Sequence, residues 1–267
     1  IVGRTIKDPV VENNNTENVE AFYIGAAEHA VVEALEKNFD AVTIMMKSDA
    51  VVEIGAWTAP YYLGGIDTKA ITIVGNDHIL DFKHTNSDWN YIRCSNENAE
   101  LTITDVKLTN SGYNNGPWNR HNIRFYNDVT LERVVSDKAI ALLANGDLKE
   151  VTISDVHPNN SEVYGLWISP SPNGQTVNIE NCQILAHESK TTDRGIKIDD
   201  QYVSAPGKVT LNIDGLKVKS QKKAAILVKS AAGADISISN IDITEVADDT
   251  VNAVWVDEDG AAYASLV

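Results

Sequence analysis

Leu101-Thr102-Ile103-Thr104-Asp105-Val106-Lys107-Leu108-Thr109-Asn110 is the stretch of sequence that decides the fold. Apolar and polar residues alternate on both sides of Asp105, which is typical of two short β-strands that meet at a polar corner. The same arrangement recurs in the segments that begin at Val129, Val151, Val177, Leu211 and Ile236. Such repetition predicts a solenoid, in which each unit covers the apolar edge of its neighbour.

A longer alignment extends the repeat over most of the chain. The second inward residue of each recurrent strand is Ile44, Ile73, Ile103, Leu131, Ile153, Ile179, Ile213 or Ile238. Successive members lie 22 to 34 residues apart. Because the alternation is constant while the steps differ, we expect about eight coils whose length varies in the loops.

Each coil also contains a third apolar run. These runs include Tyr91–Cys94, Asn122–Phe125, Ala139–Leu142, Gly165–Ile168, Gly195–Ile198, Ala225–Val228 and Ala253–Val256. Three strands per coil predict an all-β fold, a right-handed parallel β-helix with three sheets around one axis. An antiparallel sandwich is disfavoured, because two-residue hairpin signals are scarce.

One helix is predicted before the strands, at residues 26–38. Its apolar residues recur at helical spacing on one face, and Asn38 is a suitable C-terminal residue. A lone amphipathic helix at this place would cap the open end of the solenoid core. The predicted division is an N-terminal arm and capping helix at 1–39 and one continuous β-helix at 40–267.

An amphipathic helix followed by a strand array with Asn and Asp corners resembles the pectin-lyase-like β-helix superfamily. The resemblance covers about residues 25–267 and is one of pattern, without a matching catalytic motif. It implies a range of functions that includes polysaccharide lyases, glycoside hydrolases, surface adhesins and tailspikes. Function must therefore come from the site rather than from the fold.

The composition excludes several classes of partner. Lys and Arg number 22 against 38 Asp and Glu, so the net charge is −16, which argues against nucleic acid and against an anionic membrane surface. No apolar run is long enough to span a bilayer. The chain begins at Ile1, so we expect a mature product from which a signal peptide was removed. Cys94 and Cys182 stand at inward positions on different strands and are expected to be two buried thiols.

The outward residues differ between the sheets. On the first sheet they are small and polar, such as Thr102 and Thr104, which indicates a solvated face. On the third sheet, cations and aromatic residues are concentrated. A groove with such residues would suit a polysaccharide, since aromatic rings stack on sugars and Arg pairs with carboxylate or sulfate. Alternatively, the aromatic side chains pack under loops and the cations offset nearby acids.

The predicted ligand-binding residues include two from the loop at 109–121. They are Arg93, Arg124, Trp167, Lys197, Trp255, Tyr113 and Trp118. An open groove with Arg124, Trp167 and Lys197 side by side would support binding, whereas covered side chains would favour a scaffold.

Catalysis is the alternative that the resemblance implies. A metal-free lyase would use a cation to neutralise a sugar carboxylate and a base to remove the α-proton. The candidate residues for an enzyme are Arg124, Lys197, Tyr126, His121 and Asp199. Histidine spacing predicts no metal site, and Ca²⁺ would be a cofactor only of a lyase.

The sequence therefore predicts a monomeric, secreted or cell-surface protein that recognises a polysaccharide or a cell-surface glycan without catalysis. The first alternative is a lyase or glycoside hydrolase that acts on acidic glycans. The second is a structural spacer of a larger surface protein.

Overall fold

The computed structural model describes residues 12–13, 19–24, 41–54, 61–63, 67–84, 92–110, 122–154, 164–185, 192–200, 203–219, 221–244, 252–256 and 264–266. All the regular elements within these ranges are β-strands. The strands are β1 (Glu12–Asn13), β2 (Val19–Ile24), β3 (Ala41–Met46), β4 (Ala50–Ile54), β5 (Tyr61–Leu63), β6 (Ala70–Val74), β7 (Ile79–His84), β8 (Ile92–Cys94), β9 (Glu100–Thr109), β10 (Asn122–Phe125), β11 (Val129–Ser136), β12 (Ala139–Leu142), β13 (Gly146–Lys149), β14 (Thr152–Ile153), β15 (Tyr164–Ile168), β16 (Gln175–Ile184), β17 (Thr192–Asp199), β18 (Val209–Lys219), β19 (Gln221–Lys229), β20 (Ala234–Thr244), β21 (Asn252–Val256) and β22 (Ala264–Leu266).

The strands form two sheets, and the chain passes repeatedly from one to the other. The larger sheet has 14 strands, and its main path runs β1-β2-β3-β6-β9-β11-β13-β16-β18-β20-β22. The smaller sheet has eight strands in the order β21-β19-β17-β15-β12-β10-β8-β5. Apart from the antiparallel pair β1–β2, the strand pairs are parallel. This arrangement confirms the all-β parallel solenoid.

The described strands make two hydrogen-bonded sheets, whereas the sequence predicted three. The first and second runs of a coil stay in one ladder, as in β9, which contains both. The two runs stay in one ladder because the corner between them is a single residue. Asp105 alone turns the strand, with a backbone φ of 54°, and hydrogen bonding continues on both sides of it. Equivalent left-handed corners occur at Arg133, Glu150, Asn181, Gly215 and Asn240.

Left-handed backbone costs free energy for residues with a Cβ, except where a side chain compensates. Arg133 has such compensation, because its Nε donates to Oδ1 of Asp105 at 2.6 Å and a second guanidinium nitrogen donates to Oδ2 at 2.9 Å. These hydrogen bonds also lower the pKa of Asp105 below its usual value. Asn and Asp, found at three of the corners, are residue types that tolerate left-handed backbone.

Glu150 is an exposed corner residue with a φ of 53°, and this predicts a stabilising substitution. Glu150→Gly should raise the free energy of unfolding by about 1 kcal/mol relative to Glu150→Ala, since glycine relieves left-handed strain. Denaturation in urea measures the difference. Lys149, the preceding exposed strand residue, is the control: there Gly should be less stable than Ala. Equal stability of the two Glu150 variants would contradict the corner assignment.

The core lies between the two sheets and consists of the inward apolar side chains of both. Ile103 and Leu131 of the larger sheet and Ile140 and Ile196 of the smaller sheet are all 0% exposed. Cys94 and Cys182 are buried and form no disulfide with each other, which agrees with the expectation of two buried thiols. Burial raises the pKa of Cys94 to about 12 and that of Cys182 to about 11, so both stay protonated at neutral pH.

The predicted helix at 26–38 lies outside the described residues. Within the predicted arm, β2 lies in register beside β3, with Phe22 opposite Ile44. The larger sheet therefore extends into the first 24 residues. The division at residue 39 stays a prediction.

Candidate binding face of the smaller sheet

The third runs of the coils form the smaller sheet. Its strand register brings together, in one row across the strands, most of the residues predicted to face outward. Arg124 pairs with Ala141, Ala141 with Trp167, and Trp167 with Lys197. The row continues through Leu227 to Trp255. Ala141 and Trp167 are buried but do not belong to the apolar core cluster between the sheets, whereas the alternating neighbours Ile123 and Ile140 do. The sequence thus placed this row on the correct face.

The central part of the row is buried, however, which is the covered arrangement that would favour a scaffold. The exposed fractions are 2% for Arg124, 5% for Trp167 and 4% for Lys197. Parallel sheets are commonly covered on both faces, so an outward residue is not necessarily exposed. A ligand-binding role for these three residues stays a prediction, and it would require the covering to open.

Arg124 and Trp167 are in contact although a strand lies between them. The Arg124 guanidinium carbon is 5.6 Å from the centroid of the Trp167 ring. Ala141 occupies the intervening register position, and its small side chain leaves room for the contact. The Trp167 indole also donates a hydrogen bond from Nε1 to the backbone carbonyl of Asp199 at 3.2 Å. The indole therefore joins strands β15 and β17 and stabilises the burial of Arg124.

Lys197 and Asp199 form a buried ion pair on β17. Nζ of Lys197 lies 2.5 Å from Oδ2 of Asp199, and each side chain is 5% exposed. Nζ is also 5.8 Å from the centroid of the Tyr164 ring. The pair compensates two charges that would otherwise be costly to bury. Lys197 and Asp199 were candidates for catalysis, and their mutual pairing gives them a structural role in this conformation.

The register of Arg93 differs from the sequence alignment, which matched Ile92 with Ile123. In the structure Ile92 pairs with Phe125. Arg93 is thus shifted by two residues, away from Arg124 and next to Tyr126. The side chain stays on the same face because the strand period is two. On its other side, Arg93 pairs with Tyr62 of β5.

The shift creates an accessible patch at the edge of this face, which we call the Arg93 patch and define by Arg93, Glu97 and Tyr126. Tyr126 is 41% exposed. The guanidinium carbon of Arg93 is 4.3 Å from the Tyr126 ring centroid, and the same guanidinium pairs with the Glu97 carboxylate. Tyr126 and Val135 are the exposed large hydrophobic residues of the described chain.

Asn127 holds the segment that carries Glu97, and sequence reasoning missed this residue. Its amide nitrogen donates to the carbonyl oxygens of Asn96, Glu97 and Ala99, each at 3.1 Å. Its amide oxygen accepts a hydrogen bond from the backbone N–H of Cys94 at 2.8 Å. Asn127 is 3% exposed, so these contacts satisfy its polar atoms inside the protein. The signal in the sequence was an Asn two residues after the end of a third run, where the chain turns into the next coil.

Other predicted site residues are not placed by the structure. Tyr113, Trp118 and His121 lie outside the described residues. Trp255 lies in β21, in register with Leu227, but its side chain is outside the described part.

Among the residues that the structure describes, no three His, Cys, Asp or Glu side chains are grouped so that they could hold a metal ion. Within the same ranges, no helix is long and apolar enough to cross a bilayer.

The fold and the face define the class of protein, a parallel β-solenoid with cationic and aromatic residues on the smaller sheet. Comparisons with protein-family models, with curated proteins and with solved structures found no match. The particular function therefore has to be inferred from the chain's own residues.

Proposed function

We propose that the protein recognises a polysaccharide or a cell-surface glycan, without catalysis, through the Arg93 patch. The observation that supports this is an exposed aromatic ring beside a guanidinium: Tyr126 is 41% exposed and Arg93 lies 4.3 Å from its centroid. An exposed aromatic edge can contact the apolar face of a sugar, and a guanidinium pairs with its carboxylate or sulfate.

The proposal includes the setting of this function. The protein is extracellular or attached to the cell surface, and it acts as a monomer. The finer architecture is a right-handed, pectin-lyase-like β-helix of about eight coils with a capping helix at 26–38. Support comes from the parallel two-sheet solenoid and from the handedness of nearly all parallel crossovers.

A glycan array followed by titration calorimetry tests the proposal. We expect wild-type protein to bind an acidic glycan, and Tyr126→Ala and Arg93→Ala each to weaken binding by about tenfold or more, because hot-spot aromatic and Arg side chains contribute 1.4 kcal/mol or more at such sites. Val135→Ala is the matched control, since Val135 is also 41% exposed but lies on the larger sheet. A panel without any bound glycan, or variants with unchanged affinity, would refute the proposal.

The burial of Arg124, Trp167 and Lys197 favours a second candidate, a structural spacer in a larger surface protein. A spacer needs stable sheets and no ligand, so the same glycan panel separates it from a recognition protein. Release of unsaturated uronates or of reducing ends from that panel would instead support a lyase or a hydrolase.

A further inference from the structure

The two charged members of the Arg93 patch differ in how firmly they are held. The Arg93 side chain is 19% exposed, whereas that of its partner Glu97 is 74% exposed. Arg93 is fixed on one side by the Tyr126 ring and on the other by its position in β8. The cation is therefore preorganised, and the carboxylate is the group that solvent can reach.

The ion pair with Glu97 does not satisfy every donor of the Arg93 guanidinium. Within the described part of the chain, its Nε is buried and has no hydrogen-bond partner, while another guanidinium nitrogen pairs with Glu97. A guanidinium presents a fork of N–H donors that matches both oxygens of a carboxylate or sulfate. The ion pair with Glu97 engages one nitrogen of the guanidinium rather than two parallel N–H donors.

Glu97 is kept beside Arg93 by its backbone rather than by its carboxylate. Asn127 donates to the Glu97 carbonyl and to those of Asn96 and Ala99. The carboxylate itself can swing into solvent without disturbing these hydrogen bonds. An exposed ion pair of this kind contributes roughly 0.2–1 kcal/mol, so its separation is inexpensive.

We propose that Arg93 is an anion-binding site for the carboxylate or sulfate of an acidic saccharide, and that Glu97 occupies it in the absence of ligand and is displaced on binding. This inference rests on the proposed function and specifies its ligand class. The sugar ring would contact Tyr126, and the anion would replace the Glu97 carboxylate on the guanidinium. Because an incoming anion has to displace Glu97, only an anion that binds Arg93 more strongly than this carboxylate occupies the site.

The test uses sulfate and glucuronate as separate probes in low-salt buffer, with the Arg93 Nε–H resonance observed by NMR. Glu97→Gln should bind both anions about two- to fivefold more tightly than wild type, because the competing charge is removed. Glu100→Gln is the matched control: it removes one exposed carboxylate from the same coil and should leave both affinities unchanged. Arg93→Ala lacks the observed resonance and is therefore titrated by calorimetry beside wild type, where it should show no saturable binding of either anion.

Absence of a saturable Arg93 shift in wild type and in Glu97→Gln, or equal affinities in these two proteins, would overturn the inference. Binding of neutral glycans that depends on Tyr126 but not on Glu97 would overturn it while leaving the proposed function intact. Anion binding at Arg93 without binding of any polysaccharide would support the anion site and refute the glycan function.

Discussion

Asp199→Ala is expected to lower the free energy of unfolding by about 3–5 kcal/mol, because the variant leaves a buried Lys197 ammonium without its carboxylate. The two groups are 2.5 Å apart and each side chain is 5% exposed. Water cannot replace the lost partner without opening the face of the smaller sheet. Urea denaturation followed by circular dichroism measures the change.

The pair Lys208–Asp235 provides the control for this prediction. It has a similar separation of 2.6 Å, but its side chains are 53% and 42% exposed. Asp235→Ala should therefore cost less than about 1 kcal/mol. The double variant Lys197→Met with Asp199→Leu should recover most of the lost stability, since it buries no charge. An Asp199→Ala variant as stable as Asp235→Ala would show that the Lys197 pair is solvated.

Asn127→Asp is expected to cost about 3 kcal/mol at pH 7, although the side chain keeps its size. The substitution replaces an amide that donates to three carbonyl oxygens with a carboxylate that faces them. The two N–H donors that serve these oxygens are lost, and a buried charge meets three acceptors. Only the hydrogen bond from the Cys94 N–H would be retained.

The loss should depend on pH with a definite sign. Burial among acceptors raises the pKa of the introduced carboxyl above its unfolded value of about 3.9. The variant is thus least destabilised at a pH below the unfolded-state pKa of about 3.9, where the carboxyl is protonated in both the folded and the unfolded protein. Its stability falls further as pH rises through the raised folded-state pKa. Asn98→Asp, on the exposed part of the same segment, should change stability by less than about 0.5 kcal/mol and serves as the control. A pH-independent difference between Asn127→Asp and wild type would contradict the role of Asn127.

The fold was predictable because its signal is repeated. Alternation around Asp105 recurs at Asn181 and Asn240, and each copy independently indicates a strand, a corner and a strand. The number of sheets was harder to predict, since the sequence does not show whether a polar corner interrupts hydrogen bonding. One left-handed residue bends the strand and leaves the ladder continuous.

The candidate site was only partly predictable. Alternation identified which side of the smaller sheet bears Arg124, Trp167 and Lys197, but it carries no information about what covers that side. The register of Arg93 was wrong by two residues because an even shift keeps the same alternation. The contact of Arg93 with Tyr126, on which the proposed function depends, became visible only from strand pairing.

The central claim is that the face of the smaller sheet has a buried structural part and an accessible recognition part. Titration calorimetry of Arg93→Ala and Trp167→Phe with one acidic oligosaccharide tests it most directly. We expect Arg93→Ala to lose binding. We expect Trp167→Phe to keep the dissociation constant within about twofold and to lose about 1 kcal/mol of stability with its indole hydrogen bond. Loss of binding in Trp167→Phe together with full binding by Arg93→Ala would place recognition on the buried row and contradict the account.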